Sequence, residues 1–409
     1  MSYIKRHLET HVLALSREYP VLLLTGPRQV GKTTMLKKLM QKEKRPRNYV
    51  TLDDLNERSL AVRDPAMFLQ IHQPPVLIDE VQYAPELFTY IKILVDKKRC
   101  PGDFWLTGSQ LFKLMRGVQE SLAGRVALLN LFSLSQSEIA GSLAGPFTVS
   151  LPRLQNLPPT VPFTAPTIFE RIWQGSMPAL CSREVHSRDI YYASYLNTYL
   201  ERDIQGLLHS LDALKFMRFM TAVAARTGQL LNYKGLADDA DINQATVKSW
   251  LNVLETLGII FYLHPYANNT LKRTIKAPKL YFYDLGLVCY LTRWSTPEVA
   301  LSGAMSGALF ENYVVSEIMK SYWHHAVTPY IYYYRDRDTK EIDLLLEEDG
   351  VLTPVEIKKT MHPEKRMTSA FTVLDSQKQF KRGTGAIICL HDKLSAIDEQ
   401  TLIVPVGLI

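Results

Sequence analysis

The run Val21-Leu-Leu-Leu-Thr-Gly-Pro-Arg-Gln-Val-Gly-Lys-Thr-Thr34 constrains this chain more than any other feature in it. A short apolar stretch gives way to Gly26-x-x-x-x-Gly31-Lys32-Thr33, and the lysine-rich segment Thr33–Lys44 follows. Backbone N–H groups can close round an anion only where no Cβ intervenes, which glycine at 26 and 31 permits. A helix opening at Lys32 turns its partial positive end to the same place. Strand, glycine loop and helix together predict a phosphate-binding loop made of Gly26, Pro27, Arg28, Gln29, Val30, Gly31, Lys32, Thr33 and Thr34. Lys32 is expected to place a point charge on the β- and γ-phosphates, and the Thr33 hydroxyl to ligate Mg²⁺. The ligand class is a nucleoside triphosphate.

The surrounding pattern fits that reading. Tyr49–Leu52, Val76–Ile78 and Phe104–Thr107 are further compact apolar runs, separated by amphipathic segments such as Pro85–Val95. Runs of this kind read as parallel strands buried on both faces, with helices on either side. Val76-Leu-Ile-Asp79-Glu80 ends its strand in two carboxylates. Asp79 is expected to hold the Mg²⁺ hydration shell, and Glu80 to orient or deprotonate an attacking water. A bland alternative makes the pair an N-cap before the next helix. Ser109, at the tip of the next strand, is a candidate sensor of the γ-phosphate, or an ordinary turn residue. Arg125, in Ser-Leu-Ala-Gly-Arg, is a candidate arginine finger acting in a neighbouring subunit, or a surface ion-pair partner.

At 409 residues the chain needs more than one core. It is 46% hydrophobic and 22% charged, with no apolar run long enough for a membrane span and no signal-like N-terminal block. Four scattered cysteines, Cys100, Cys181, Cys289 and Cys389, argue against a disulfide frame or zinc site and for a cytoplasmic protein. A net charge of +6 is compatible with an anionic partner and decides nothing alone. Residues 1–140 read as the nucleotide domain, and 141–167, rich in Pro, Gly, Ser and Thr, as a linker or long surface loop. Helical patterns over 168–210 suggest a lid.

Residues 211–284 read as a winged helix. Tyr233–Ala240 and Gln244–Leu257 are predicted helices around the turn Asp241-Ile-Asn243, with Asn243 as N-cap and Val247, Leu251, Leu254 and Leu257 on one buried stripe. In a DNA complex the second helix would expose Asn243, Gln244, Thr246, Lys248 and Ser249 to the major groove. A hairpin carrying Lys272, Arg273 and Lys276 would contact phosphates. Residues 285–409 turn β-rich. Glu341-Ile-Asp343 and Pro354-Val-Glu356-Ile-Lys358 form a predicted hairpin in which Glu356 and Lys358 share a face. This Asp…Glu-x-Lys set resembles the PD-(D/E)xK nuclease core, in which two carboxylates hold Mg²⁺ and lysine positions water. Glu311 fits an additional acid. A salt-bridged face of a non-cleaving domain explains the same residues.

The blocks Leu-Thr-Gly-Pro-Arg-Gln-Val-Gly-Lys-Thr-Thr, Leu-Ile-Asp-Glu-Val-Gln-Tyr-Ala-Pro-Glu-Leu, Leu-Thr-Gly-Ser-Gln, Ser-Leu-Ala-Gly-Arg and Tyr-Leu-Glu-Arg-Asp-Ile resemble a large prokaryotic family of AAA+-type ATPases, over nearly the whole chain. The resemblance implies an α/β P-loop fold, ATP as the nucleotide, and a C-terminal α/β region similar to restriction endonucleases. Three functions remain open at this point. They are a Mg-dependent ATPase coupled to DNA binding, an ATP-gated metal-dependent DNA endonuclease, and a nucleotide-dependent protein-docking switch. A homo-oligomer with Arg125 or Arg202 acting in trans is expected, and no membrane association.

Overall fold

The computed structural model describes residues 3–43, 45–109, 121–142, 144–198, 212–266, 277–336, 340–376 and 380–409. Arg202, Lys272, Arg273 and Lys276 lie outside the described residues.

Five strands, β1 (Val21–Thr25), β2 (Asn48–Thr51), β3 (Val76–Asp79), β4 (Phe104–Gly108) and β5 (Val126–Asn130), form a parallel sheet in the order β2-β3-β4-β1-β5. Every residue of β1, β3 and β4 is buried, as continuous apolar runs require. Alternation divides them between two cores. Leu22 and Leu24 of β1 face the main core, and Val21 and Leu23 face a second one with Val50, Phe68, Ile78, Phe88 and Ile91. β5 is an edge strand, and there burial alternates, with Leu128 exposed between the buried Ala127 and Leu129.

The segment 141–167 is not the free linker its composition suggests. Pro152 and Pro166 sit in the first turns of the helices Leu151–Gln155 and Ala165–Gln174, where a missing N–H costs nothing. Phe147, Leu154 and Val161 are buried, and Phe147 N–H donates to Ser321 Oγ at 2.9 Å. Thr160 N–H donates to the Gly407 carbonyl at 2.7 Å. The segment therefore straps the nucleotide domain to the C-terminal residues.

Next come the helices Pro178–Cys181 and Arg188–Thr198, then Ala213–Ala225, Tyr233–Ala240 and Gln244–Thr256. The antiparallel hairpin β6 (Ile260–Leu263) and β7 (Lys279–Phe282) follows. Asn243 caps the helix Gln244–Thr256, accepting from Thr246 N–H at 2.8 Å, and Val247, Trp250, Leu251 and Leu254 are buried. The long helix Ser306–Trp323 leads into β8 (Ile331–Arg335), β9 (Glu341–Glu348) and β10 (Val351–Lys358), then β11 (Lys381–Arg382), β12 (Gly385–Cys389), β13 (Ser395–Asp398) and β14 (Thr401–Pro405). These make a mixed sheet, β13-β14-β12-β10-β9-β8, with β11 beside β10. One hydrophobic cluster runs from Leu22 and Val30 through Trp250 and Phe310 to Val404, so the segments share a core instead of standing as separate beads.

Candidate functional site

In the parallel register Leu24 lies opposite Thr107, Ile78 opposite Leu106, and Thr25 opposite Gly108. Asp79 is thus level with Thr107 and Leu24, two residues before Gly26, where the loop begins. Gly26 has φ 139°, and a Cβ there would fall 1.9 Å from the Leu131 carbonyl oxygen, so only glycine allows this close crossing. Gly31, at φ 90°, starts the helix Lys32–Met40. Lys32 is buried, and its Nζ donates to the carbonyls of Gly26 at 2.8 Å and Pro27 at 2.7 Å. The loop is thereby curled round its own lysine. Thr33 Oγ1 donates to Asp79 Oδ1 at 2.8 Å. Of the residues expected in the loop, Val30 turns its side chain into the core, while its carbonyl accepts from Arg6 Nη1 at 2.8 Å.

Two groups that the sequence did not single out hold Asp79. Thr107 Oγ1 donates to its Oδ1, and Tyr49 OH donates to Oδ2 at 3.3 Å. Glu80 has φ 58°, a strained left-handed conformation for a residue with a Cβ, and its N–H donates to Thr107 Oγ1 at 3.3 Å. It stands at the N-cap position of the short helical turn Val81–Tyr83, but its side chain makes no capping bond there. Its carboxylate accepts from Gln82 Nε2 and, at 3.4 Å, from Ser109 Oγ. Gln82 Nε2 also reaches Ser109 Oγ at 3.4 Å. The sequence-chosen Lys32, Thr33, Asp79, Glu80 and Ser109 therefore converge at the C-terminal ends of β1, β3 and β4. Arg125 does not join them. It precedes β5, at the N-terminal ends of the strands, and forms a two-pronged pair with Asp96, at 2.6 and 3.0 Å.

Beside the loop lies a cavity of about 440 Å³ walled by Tyr3, Ile4, Gly31, Thr34, Pro178 and Ala179, a size that suits a nucleoside. Tyr3 is fixed by donating to Glu9 Oε1 at 2.9 Å. Behind it, Arg6 Nη2 donates to the Phe132 carbonyl at 2.8 Å, and Arg6 Nε lies 3.1 Å from Glu138. Glu138 also lies 3.2 Å from His324 Nδ1, at the end of the helix Ser306–Trp323. Burial opposes the Glu138 charge, but Arg6 and His324 outweigh it and hold that carboxyl well below its usual range. Burial pushes His324 down to about 4, and the Phe132 N–H aimed at its Nε2 suits the neutral ring.

The loop also touches the helix-turn-helix region. Gly258, at φ 67°, lies so close to Pro27 that a Cβ would be 2.9 Å from its Cγ. Phe132 stacks on Tyr283 at 3.8 Å. On the outer surface Asn243, Gln244, Lys248 and Ser249 are exposed and Thr246 is half-buried. Asp238 and Asp241 border the same groove.

The C-terminal residues Asp343, Glu356, Lys358 and Glu311 are brought together, but not as an open metal centre. Lys358 Nζ is 2.6 Å from Glu356 Oε1 and 3.4 Å from Asp343 Oδ2, and the Ile357 N–H donates to the same Asp343 oxygen at 2.9 Å. Burial and Asp343 push Glu356 up to about 8. Lys279 from β7, which sequence reasoning missed, enters the cluster. Its Nζ is 2.6 Å from Glu341, 3.1 Å from Glu311 and 3.8 Å from Asp343. Burial opposes its charge, yet Glu311, Asp343 and Glu341 together raise its pKa. Tyr281 OH donates to Glu311 at 2.7 Å. Among the described residues no group of three or more His, Cys, Asp or Glu is disposed to hold a metal ion. No described helix is long and apolar enough to cross a membrane.

A family model described as an AAA domain matches residues 18–140. Two domains of unknown function, DUF8612 and DUF4143, match residues 166–298 and 306–409. An uncharacterized protein of Mycobacterium tuberculosis and one of Mycobacterium bovis are each 30% identical over 360 residues, 88% of this chain and 74% of theirs. A solved structure of a Walker-type ATPase of Pyrococcus abyssi is 16% identical, covers 71% of this chain and 96% of its own, and superposes with a TM-score of 0.43.

Proposed function

This chain belongs to the family of the two mycobacterial proteins and is a P-loop ATPase with an AAA domain, and from that premise we propose that it hydrolyses ATP and couples the turnover to DNA binding. The observation that carries the hydrolysis reading is the contact of Thr33 Oγ1 with Asp79 at 2.8 Å, beside a loop shaped for phosphates. In this reading Gly26–Thr34 cradle the triphosphate through backbone N–H groups, and Lys32 leaves the carbonyls of Gly26 and Pro27 for the β- and γ-phosphates. Thr33 and Asp79 are hard oxygen donors side by side, which fits Mg²⁺ bound through one carboxylate and the substrate's phosphates. When bound, the ion would neutralise charge on the phosphates. Glu80, released from Gln82 and Ser109, orients a water and takes its proton, and Ser109 is left to sense the γ-phosphate. Tyr3, Ile4 and Pro178 supply apolar walls for the base.

The contact of Pro27 with Gly258 supports the coupling, because it packs the phosphate loop against the turn that leads into β6. Gln244, Thr246, Lys248 and Ser249 would face the major groove, with Lys272, Arg273 and Lys276 on phosphates. Arg125 would serve a neighbouring subunit in a homo-oligomer. No cleavage step is assigned to Asp343, Glu356 and Lys358, since Lys279 stands among those carboxylates. A second reading, a protein-docking switch, is favoured by Asp238 and Asp241 at the groove mouth. Duplex binding measured against salt with a slowly hydrolysed ATP analogue separates the two readings. Affinity falling steeply with salt supports DNA, and no binding at low salt refutes it.

A further inference from the structure

Glu311, Glu341 and Asp343 come from a helix and a strand of the C-terminal domain, and their oxygens converge on one point. Carboxylate oxygens are the donors Mg²⁺ and Mn²⁺ take, although with Lys279 in place no such group among the described residues is disposed to hold a metal ion. Glu356, on the neighbouring strand, is nine-tenths buried and has an Oε2 with no hydrogen-bond partner, an orphaned acceptor beside the cluster. Yet the point of convergence is filled. Lys279 Nζ occupies it, 4% exposed, and it belongs to another element, the hairpin β6–β7. That hairpin is docked on the C-terminal sheet. Pro265 pairs with Tyr333, and Tyr333 OH donates to the Ala277 carbonyl at 2.6 Å. The other end of the cluster is neutralised by Lys358, and Arg335 lies 3.8 Å from Glu341.

We propose that Lys279 is a built-in counter-ion standing where a divalent cation would bind among Glu311, Glu341 and Asp343, so the cluster is closed to metal while the hairpin is docked. One buried carboxylate, Asp343, and two half-buried ones, Glu311 and Glu341, crowded round one point repel each other when ionised, and the ammonium offsets that repulsion. A metal could enter only if the β7 strand withdrew Lys279, so the hairpin's position sets whether the cluster is a salt-bridged anchor or a cation site. The proposal does not depend on the ATP reading, because none of these residues touches Gly26–Thr34.

The test is Mn²⁺ uptake by the full chain without nucleotide, followed by the electron paramagnetic resonance of free Mn²⁺ and by melting temperature. The native protein is expected to take up no Mn²⁺ that Asp343→Asn abolishes. Lys279→Met, which keeps the length and loses the charge, is expected to take up about one equivalent. That uptake should vanish in Lys279→Met/Asp343→Asn, and Mn²⁺ should raise the Lys279→Met melting temperature while leaving the native one unmoved. If Lys279→Met does not accumulate folded, Lys279→Gln, which retains a donor for Glu341, carries the same expectation. Asp343-dependent uptake by the native protein overturns the proposal, and so does a folded Lys279 variant that takes up none.

Discussion

Gly258→Ala offers a direct measure of how firmly the phosphate loop is tied to the hairpin. Two costs are separable. At φ 67° any L-residue is strained by roughly 1–2 kcal/mol relative to glycine. The added Cβ would also lie 2.9 and 3.1 Å from Pro27 Cγ and Cδ, where carbon atoms rest at about 3.5–4.0 Å, so the ring must retreat by about half an ångström. Pro27 is inside the loop, and its carbonyl accepts from Lys32 at 2.7 Å, so that retreat reaches the phosphate site. The expected outcome is a loss of nucleotide affinity of about tenfold, equivalent to ~1.4 kcal/mol. Titration with a fluorescent ATP analogue and Mg²⁺ reads it. Gly350→Ala is the control, since Gly350 has φ 75° with nothing within 4 Å of an added Cβ, and carries the backbone cost alone. Pro27→Ala completes a double-mutant cycle, in which the pair with Gly258→Ala should recover the lost affinity but not the lost stability. If Gly258→Ala binds nucleotide as tightly as Gly350→Ala, the loop is not held by the hairpin and the coupling argument fails.

Other expectations are simpler to state. Lys32→Ala should abolish ATP turnover in the purified protein, and undiminished phosphate release would put the site elsewhere. Asp79→Asn should weaken the Mg²⁺ dependence of nucleotide binding far more than binding without metal, and equal losses would count against the metal role. Arg125→Ala should leave nucleotide affinity intact and lower turnover, and mixing it with Lys32→Ala should restore part of the activity, which a purely structural pair with Asp96 would not do. His324, held near 4 against an ordinary 6.5, makes the unfolded chain take up the extra proton first. Its contribution is complete above about pH 6.5 and is lost towards pH 4, at about 1.4 kcal/mol per pH unit. Thermal scans across that window should show His324→Gln with a flatter pH response, and parallel slopes would refute the assignment.

Much of the nucleotide site was legible because its signals are local. Gly26, Gly31 and Lys32 form one short pattern, and Asp79 and Glu80 end an unbroken apolar run, as a buried parallel strand demands. The groups that steady Asp79 were not legible. Thr107 and Tyr49 reach it only through the strand order β2-β3-β4-β1, which pairing across the sheet decides. The prolines of 141–167 were read as loop residues, although the same residue type begins helices. Lys279 gives no sign of its role, because nothing local tells that a lysine will enter acids contributed by a helix and a strand further along the chain.

The bonds from Gln136 N–H to Glu317 at 2.9 Å, and from Lys320 Nζ to the Leu134 carbonyl at 2.9 Å, join residues 181 and 186 positions apart. During synthesis at roughly 5–20 residues per second, the turn after β5 waits on the order of 10 to 40 s for its partners to be made. Throughout that interval the nascent nucleotide domain shows an unfinished apolar edge, around Leu131 and Phe132, next to its own phosphate loop. A ribosome stalled before Glu317 would therefore hold a nucleotide domain whose turn after β5 still lacks its partners on the helix Ser306–Trp323.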